Sequence, residues 1–374
     1  MVFVRTTPPR SVDVAVVFPE LAPLAREAIR LHPRPGAPSV GDSSVGGPLL
    51  WPAGEPWPHC EEEHVDSGFR TSLAQARHLM RVLARRRADP DGPAFTPEES
   101  AVRDRLAVRY MERLDAGPLP SEQPVPLLPV AQLYLRDIPV LRPPGQADVL
   151  QVLWCPYEHE SYPKPLTRLF WRSATDITDV LAAPPEPFEV ENDDYVPVPC
   201  LLAPEAITDY PHSYEVDPEI QAALEDWDRW LTAEAGVSPE AREMLEEWRR
   251  QQEAGEYHSE SYEPRVFYDE CLGEAPGWKV GGWPPWGRTD PDPQSCTVCD
   301  ARMVPLLTIA SYEWDGGAAR SWAPQEEHAA AYADSHRAGN DPSQPTQVQV
   351  GSTDNMQLYI CPTSPDHPHT DLIQ

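Results

Sequence analysis

The residues best suited to chemistry are three cysteines and a histidine toward the end of the sequence. Cys296 and Cys299 are separated by two residues, a spacing that lets two thiolates face one tetrahedral metal ion. Cys361 follows an apolar, strand-like run, and His367 lies six residues further on. Three sulfurs and one imidazole fill all four positions around zinc, so this set predicts a closed structural zinc site. His369 is the alternative fourth ligand.

A Cys-x-x-Cys pair can also be a redox pair or two ordinary reduced thiols. A thioredoxin-like redox pair lies at the start of a helix that follows a strand. Cys296 instead follows a loop of prolines and aspartates, and a strand-like run comes after Cys299. The sequence therefore disfavours redox chemistry and leaves ordinary thiols as the alternative to zinc.

A weaker second metal site is predicted in the first half of the chain. Cys60 is followed by His64 and Cys155 by His159, which gives two Cys-x-x-x-His pairs. Together they offer two thiolates and two imidazoles, a common ligand set of structural zinc. Both histidines lie in acidic runs, however, where an exposed histidine without a metal is the ordinary interpretation.

The two ligand sets lie at matching places in two copies of one sequence pattern. Each copy has a Gly-Gly turn, a cysteine, an apolar string and a strand-like string that ends in Cys-Pro, in this order. In the first copy these are 46–47, Cys60, VPLLPVA (125–131) and DVLQVLWCP (148–156). In the second copy they are 281–282, Cys296, VPLLTIA (304–310) and DNMQLYICP (354–362). Four such matches in one order rarely arise by chance, so the sequence predicts an internal duplication.

The predicted fold is α+β, with mostly antiparallel sheets in each copy and helices confined to inserts. The first copy covers 1–175 with a helical insert at about 67–116, a linker with acidic helices covers 176–261, and the second copy covers 262–374. A helix that starts at Ser72 is predicted from an apolar stripe at helical spacing, and helix starts at Thr96, Asp217 and Ser238 are predicted from capping residues followed by proline. The segment 12–18 is predicted as a strand, 19–31 as a helix and 176–181 as a short helix.

Several strings resemble a known family. SSVGGPLLWP, PLLPVAQLY, LQVLWCPYEHE, GWKVGGWPPW and LLTIASYEWDGG, with a Cys-x-x-Cys followed by Met303, are similar to the YwqG-like bacterial proteins of unknown function. This resemblance covers most of the chain outside the helical inserts and implies an internally duplicated, soluble α+β protein. The region 278–369 more distantly resembles the eukaryotic programmed-cell-death-two family, through KVGG-x-P-x-W, Cys-x-x-Cys and a late strand ending in Cys. That second resemblance implies, by analogy alone, chaperoning of a newly made ribosomal protein.

The charge balance narrows the choice of partners. Lysine and arginine number 30 against 60 aspartates and glutamates, a net charge of −30. Such a field repels phosphate backbones and anionic membranes, so neither a nucleic acid nor a membrane is expected as partner. This charge would attract a basic protein, although solubility alone also explains it.

One basic run (Arg77, Arg81, Arg85, Arg86, Arg87) could bind an anionic partner or be a solvated helix face. No apolar run approaches the ~20 residues of a membrane span, and no signal peptide is recognised, so a cytoplasmic, monomeric protein is expected.

Two functions remain open from the sequence. Trp283, Trp286 and Trp314 lie among prolines and glycines and are candidates for binding an extended peptide, although they could equally brace irregular loops. We therefore expect a cytoplasmic protein-binding or chaperone-like protein with a structural zinc. The alternative is an enzyme with a site between the two copies, using His159, Glu158 or Glu313 in a reaction that the sequence does not identify. No set of nucleophile, base and orienting residue is recognisable from the spacing, so no catalytic residue is assigned and a non-enzymatic role is favoured.

Overall fold

Two six-stranded sheets carry most of the strand residues in the computed structural model of this chain. The structure describes residues 4–64, 70–89, 91–115, 124–159, 164–255, 263–327 and 341–374. Every strand pair in these ranges is antiparallel, and helices lie between the strands, so the predicted α+β class is confirmed. None of the helices in the described ranges has the length and apolar character needed to cross a membrane.

The elements are numbered in chain order. The strands are β1 (Arg26–Arg30), β2 (Arg34–Pro35), β3 (Ser44–Val45), β4 (His59–Cys60), β5 (Thr71–Ser72), β6 (Val125–Pro126), β7 (Leu128–Tyr134), β8 (Val149–His159), β9 (Lys164–Arg172), β10 (Glu189–Val190), β11 (Cys200–Leu201), β12 (Glu205–Asp209), β13 (Lys279–Gly281), β14 (Val304–Ala310), β15 (Asn355–Ile360) and β16 (Thr370–Ile373). The α-helices are α1 (Val14–Val17), α2 (Leu73–Ala88), α3 (Pro97–Asp115), α4 (Pro218–Glu225), α5 (Trp227–Leu231), α6 (Pro239–Ala254), α7 (Pro264–Cys271) and α8 (Ala319–Trp322).

Sheet I has the strand order β2-β11-β3-β7-β8-β9, and sheet II has the order β12-β1-β13-β14-β15-β16. Two short sheets, β10-β5 and β4-β6, lie beside them. One apolar core joins sheets I and II, since it contains Leu150, Val152 and Trp154 from β8 as well as Leu307 from β14 and Met356 from β15. The near-continuous apolar sequence of β8 follows from this position, because both faces of the strand are covered.

Four neighbouring strands follow one another in the same order in each sheet, β3-β7-β8-β9 in sheet I and β13-β14-β15-β16 in sheet II. The registers also match. Three residues lie side by side across each set: Ser44, Gln132 and Gln151 in sheet I, and Lys279, Thr308 and Gln357 in sheet II. An internal duplication requires this match of strand order and register, but the match does not establish it. The common origin of the two halves therefore stays a prediction.

The sequence match between 125–131 and 304–310 is wrong by three residues. Each sheet has a register irregularity directly after a proline, Pro129 in β7 and Pro305 in β14. This irregularity and the register together align β14 with Leu128–Tyr134 instead of 125–131. Val125 and Pro126 form β6 and pair with β4. The identical residues of the two short apolar strings gave the wrong alignment because the register of a strand is set by its cross-strand partners and not by its local sequence.

The predicted helix starts of the inserts agree with the structure. Ser72 caps α2 with a capping box, and Thr96 and Glu99 exchange the equivalent hydrogen bonds at the start of α3. Helices α4 and α6 begin with the predicted proline at their first position. Together with α1, α5 and α7 they bury a second apolar cluster around Trp230.

Three predictions of secondary structure are wrong. The segment 12–18 contains the short helix α1, and 19–31 forms a 3-10 turn (Pro19–Leu24) followed by β1. Pairing of β1 with both β12 and β13 outweighs the helix propensity of its sequence. At 176–181 no α-helix forms, and a 3-10 turn at Ala174–Asp176 precedes it.

The sheets cross the predicted limits of the copies. Sheet II takes β1 from 1–175, β12 from 176–261 and β13–β16 from 262–374, whereas sheet I takes β11 from the middle segment. Neither copy therefore forms a sheet from its own predicted range alone. The boundary at 261/262 lies outside the described residues.

Candidate metal centres

Cys296, Cys299, Cys361 and His367 come together at one end of sheet II. Each offers one ligand atom, and all four atoms lie within 4.8 Å of one another. The distance from Cys299 Sγ to Cys361 Sγ is 3.4 Å, and Cys296 Sγ lies 3.4 Å from His367 Nδ1. Zinc bonds of about 2.0–2.3 Å in tetrahedral geometry separate the ligand atoms by roughly 3.3–3.8 Å. These four residues, called the sheet II cluster below, therefore surround a space that fits such an ion.

A tight turn holds the first two sulfurs of this cluster. The Cys296 N–H donates to the Ala301 carbonyl at 2.9 Å, and the Asp300 N–H donates to the Cys296 carbonyl at 2.8 Å. Val298 N–H points at Cys296 Sγ, 3.5 Å away. Asp300 has a φ of 57°, the left-handed conformation that aspartate tolerates better than most residues. The turn thus directs both thiols to one side, which is the geometry that metal binding needs.

Local hydrogen bonds favour the charged forms of several ligands in this cluster. Against the effect of burial, the backbone N–H groups of Ser364 and Thr363 lower the pKa of Cys361 to about 6. Against the same effect, N–H groups of Val298 and Cys299 lower the pKa of Cys296. The sulfurs of Cys361 and Cys296 raise the pKa of His367. Backbone N–H groups aimed at sulfur suit thiolates, the form that binds a metal.

His369, the alternative fourth ligand, lies elsewhere. Its Nε2 is 2.8 Å from the hydroxyl of Thr167 on β9, and that hydroxyl also donates to Asp371 at 2.7 Å. Lys164 forms an ion pair with the same aspartate. His369 therefore links the edge strands of the two sheets, and His367 completes the cluster. In this buried position the Thr167 hydroxyl, 2% exposed, is a structural contact rather than an accessible nucleophile.

Cys60, His64, Cys155 and His159 also come together, with their ligand atoms within 4.8 Å of one another. Cys155 Sγ lies 3.3 Å from His64 Nε2, and Cys60 Sγ lies 3.7 Å from His159 Nε2. Cys60, Cys155 and His159 are all buried. This set, called the sheet I cluster below, is therefore better shielded from water than the acidic runs around its histidines suggest.

The shape of β8 explains how Cys155 and His159 reach one ion. Both side chains lie on the strand face opposite Trp154, but four residues of regular strand would separate them by about 13 Å. The pairing of β8 with β9 shifts register between Trp154 and Glu158, so the strand is irregular at this point. Cys60 comes from β4 and joins the same apolar cluster as Cys155.

Protonation of the two sheet I thiols is coupled. Hydrogen bonds from Cys155 first, and then from His159 and His64, lower the pKa of Cys60 far below its ordinary value. Burial, and next the neighbouring Cys60, raises the pKa of Cys155. One buried thiolate beside one buried thiol is an arrangement that a divalent cation would stabilise by replacing the proton.

Each cluster offers four protein ligands, so neither leaves an obvious position for a substrate or a reactive water. All seven cysteines are free thiols. The arrangement suits a metal that stabilises structure, and no other group of this kind is found in the described part of the chain.

A cleft of about 990 Å³ lies between β9 and the segment 365–371. β9 is one of the two edge strands of sheet I, and β16 is one of the two edge strands of sheet II. One ligand of each cluster, His159 and His367, lines the cleft. Charged groups of both signs line it as well, and Arg172 is neutralised by a two-point contact with Glu55 at 2.7 and 2.8 Å. The two Cys/His clusters and the cleft thus belong to one region.

Two of the three tryptophans proposed for peptide binding are buried as bracing residues. Trp283 lies under the guanidinium of Arg26 and donates to the Leu24 carbonyl at 2.9 Å. Trp314 belongs to a small apolar cluster with Trp322. Trp286 is buried as well and lines a small pocket.

The residues named for an enzyme do not share a site. His159 is a member of the sheet I cluster, and Glu158 accepts a hydrogen bond from Tyr195 at 2.9 Å. Glu313 is fully buried and accepts the Trp278 N–H at 3.0 Å. In the basic helix run, Arg77 pairs with Glu186 and Arg85 with Glu99, so part of its charge is neutralised internally.

Sequence reasoning missed two buried polar groups of sheet II. Lys279, two residues before the first glycine of the Gly-Gly turn, forms a fully buried ion pair with Asp209 at 2.9 Å. His32, with a φ of 45°, bonds Glu205 at 3.0 Å and lies 4.0 Å from Glu313. A lysine beside a turn and a histidine after a strand carry no local signal of burial, because their partners are distant in sequence.

Neither a scan against protein-family models nor a search of curated proteins finds a match to this chain. The YwqG-like and programmed-cell-death-two resemblances therefore stay predictions.

Proposed function

We propose that this chain is a cytoplasmic protein-binding or chaperone-like protein whose Cys/His clusters hold structural zinc ions. In this proposal the cleft between β9 and β16 receives an extended segment of a partner protein. The observation that carries it is the position of the cleft: it lies between two edge strands, and a ligand of each cluster forms part of its wall.

The ligand chemistry supports zinc. Mixed thiolate and imidazole sets with four protein ligands are typical of structural zinc, whereas calcium and magnesium prefer oxygen ligands. The closest ligand contacts, 3.3–3.7 Å, also suit a tetrahedral ion of this size.

The cleft supports binding of an extended chain. An edge strand has unpaired backbone groups along one side, to which a peptide can add as a further strand. Among the described strands, β9 pairs with β8 only. A net charge of −30 would attract basic partners over a distance. Binding at the cleft would then depend on the metals, because His159 and His367 position its walls.

Metal content is the first test. Elemental mass spectrometry of protein purified without chelators should find two zinc ions per chain. The double variant Cys296→Ser/Cys299→Ser should retain one, and so should Cys60→Ser/Cys155→Ser. Absence of metal from the wild type, or a different metal in both sites, would refute the zinc part of the proposal.

Peptide binding is the second test. The probe is an array of random ten-residue peptides in three classes of net charge, basic, neutral and acidic. The wild type should bind members of the basic class, and Ala147→Trp, which places an indole at the cleft wall and obstructs part of the cleft, should weaken that binding by about tenfold or more. Ala182→Trp, at an exposed alanine away from the cleft lining, is the matched control and should bind normally. No peptide binding, or equal binding by both variants, would refute the protein-binding part.

A further inference from the structure

A second, smaller pocket of about 180 Å³ lies between sheet II and the loop that precedes Cys296. Its floor is formed by Glu215, which ends a 3-10 turn, Trp286, which follows the Gly-Gly turn, and Tyr359 of β15. Arg26 and Arg302 line it from other elements. Nothing in the two metal clusters or in the cleft requires this pocket.

Three residues that line this pocket each carry one buried side-chain atom without a hydrogen-bond partner in the described structure: Glu215 Oε2, Trp286 Nε1 and the Tyr359 hydroxyl. The Glu215 side chain is 6% exposed, Trp286 is 7% exposed and Tyr359 is 4% exposed. Burial raises the pKa of Glu215, and the neighbouring indole opposes that shift without reaching hydrogen-bond geometry. Buried polar groups in folded proteins are normally paired, so three unpaired atoms lining one pocket indicate a missing ligand.

The matching positions of sheet I are filled instead. Trp51 lies four residues after its Gly-Gly turn, as Trp286 does, and its indole N–H donates to the Glu55 carbonyl at 3.2 Å. Leu153, two residues after Gln151, takes the place that Tyr359 has after Gln357. Trp51 and Leu153 belong to one apolar cluster. The polar pocket is therefore specific to sheet II and not a consequence of the fold.

The chemistry of the three atoms limits the ligand. An ionised Glu215 accepts hydrogen bonds only, the indole of Trp286 donates only, and the Tyr359 hydroxyl can do either. The charges around the pocket balance, with Arg26 and Arg302 against Glu215 and Asp292, so neither an anion nor a cation is favoured overall. A carboxamide is a small neutral group that carries N–H donors beside a C=O acceptor. We propose that this pocket binds a primary carboxamide, with one N–H toward Glu215, the other toward the Tyr359 hydroxyl, and its carbonyl toward the indole N–H of Trp286.

The indole N–H resonance of Trp286 offers a direct readout. We would titrate the folded wild-type protein with acetamide, acetate and tetramethylammonium in turn, and follow the tryptophan side-chain signals by ¹H–¹⁵N correlation. Trp286→Phe assigns the signal. Acetamide should shift the Trp286 signal in a saturable manner, whereas the Trp51 signal, already hydrogen-bonded, should not move. Saturable shifts by acetate or tetramethylammonium alone, or no shift by any probe, would overturn the proposal.

Tyr359→Phe tests the pocket without removing its packing. The variant loses one unpartnered hydroxyl, so the fold should keep its stability while the dissociation constant for acetamide rises about tenfold. Leu153 is the residue of sheet I that corresponds to Tyr359. Leu153→Val is therefore the matched control and should leave acetamide binding unchanged. Unchanged acetamide binding by Tyr359→Phe would also contradict the proposal.

The carboxamide could belong to a free small molecule or to an Asn or Gln side chain of a bound partner segment. The second source rests on the function proposed above. Gln294 lines both the pocket and the cleft, so a segment in the cleft passes close by. Ala147→Trp separates the two sources. If the partner supplies the amide, a bound array peptide should shift the Trp286 signal, and both the shift and peptide binding should disappear in this variant while acetamide still binds. If acetamide binds but no peptide does, the function proposed above fails and the carboxamide site stands for a free ligand.

Discussion

The two sheets place equivalent strands around very different centres. In the sheet I cluster Cys60, Cys155 and His159 lie on strands, and Cys60 and Cys155 are each at most 1% exposed within an apolar cluster. In the sheet II cluster all four residues lie in turns beyond the strand ends; Cys296 and Cys361 are buried in a small apolar cluster, but Cys299 is exposed. The same order of strands thus supports one cluster that is part of the core and another that fastens surface turns. We expect the first to matter more for global stability and the second for local order.

The largest expected effect compares the two clusters directly. Cys60→Ser/Cys155→Ser should lower the free energy of unfolding by about 5 kcal/mol or more, because a buried site loses its metal and two histidines lose their partners. Cys296→Ser/Cys299→Ser should cost clearly less, since turns can loosen without exposing the shared core. Guanidinium denaturation of both variants, with metal content determined in parallel, measures the difference. Equal losses, or a larger loss in sheet II, would reverse the proposed roles.

A second contrast concerns Ser44 and Lys279, which hold matching positions beside the central strands. Lys279 is buried against Asp209, whereas the buried Ser44 hydroxyl has no partner in the described structure. Lys279→Met should destabilise the protein by about 3–5 kcal/mol, because it leaves a buried carboxylate uncompensated. Ser44→Ala should change stability by less than about 1 kcal/mol.

Denaturant unfolding of these two variants and of Lys279→Met/Asp209→Asn makes the comparison quantitative. The double variant should recover part of the loss, because the unpaired charge is gone. A Lys279→Met variant as stable as wild type would show that backbone N–H groups of Trp283 and Ala275 suffice to hold Asp209.

The sequence predicted those parts of the molecule whose signals are local. Caps at Thr96 and Ser238 located two helices, because each cap bonds within its own first turn, and the apolar stripe that begins at Leu73 located α2. The Cys-x-x-Cys turn was recognisable for the same reason. The sheet I ligands were ranked lower because their histidines stand in acidic runs, and only the irregular strand between Trp154 and Glu158 brings them together.

Features that depend on distant partners were missed or misread. β1 resembles a helix in sequence and becomes a strand because β12 and β13 flank it. The buried partners of Lys279 and His32 lie 70 or more residues away. The register error in 125–131 has the same origin, since a repeated string is weaker evidence than the pairing it belongs to.

A third prediction uses pH to separate sheet II from sheet I. Burial lowers the pKa of His32 from 6.5 to about 4, so the folded protein holds it neutral while the unfolded chain takes up a proton below pH 6.5. Stability should therefore fall by about 2 kcal/mol between pH 6.5 and about pH 5 through this residue alone. The hydrogen bond from His32 also lowers the pKa of Glu205, against burial, which adds to the loss on acidification, whereas burial raises the pKa of Glu313 and acts in the opposite sense.

His32→Asn isolates the contribution of the histidine, because asparagine tolerates the positive φ and does not titrate. The free energy of unfolding, measured by denaturant at several pH values, should depend less steeply on pH in the variant. An identical slope in variant and wild type would mean that the imidazole is not held neutral in the folded protein.

The smallest expected effect concerns the turn of the sheet II cluster. Asp300 has a left-handed φ of 57°, and no described residue between Cys60 and His64 has a positive φ. Asp300→Ala should lower stability by about 1 kcal/mol, because alanine lacks the local hydrogen bonding that helps aspartate in this conformation, whereas Asp300→Gly should cost nothing or stabilise slightly. Thermal denaturation of both variants should be repeated in the Cys296→Ser/Cys299→Ser background. There the difference between alanine and glycine should shrink, since without a metal the turn no longer has to keep this conformation. A difference of the same size with and without the metal ligands would mean that the turn is held by the sheet itself, and that the sheet II cluster only occupies a site that the fold has already formed.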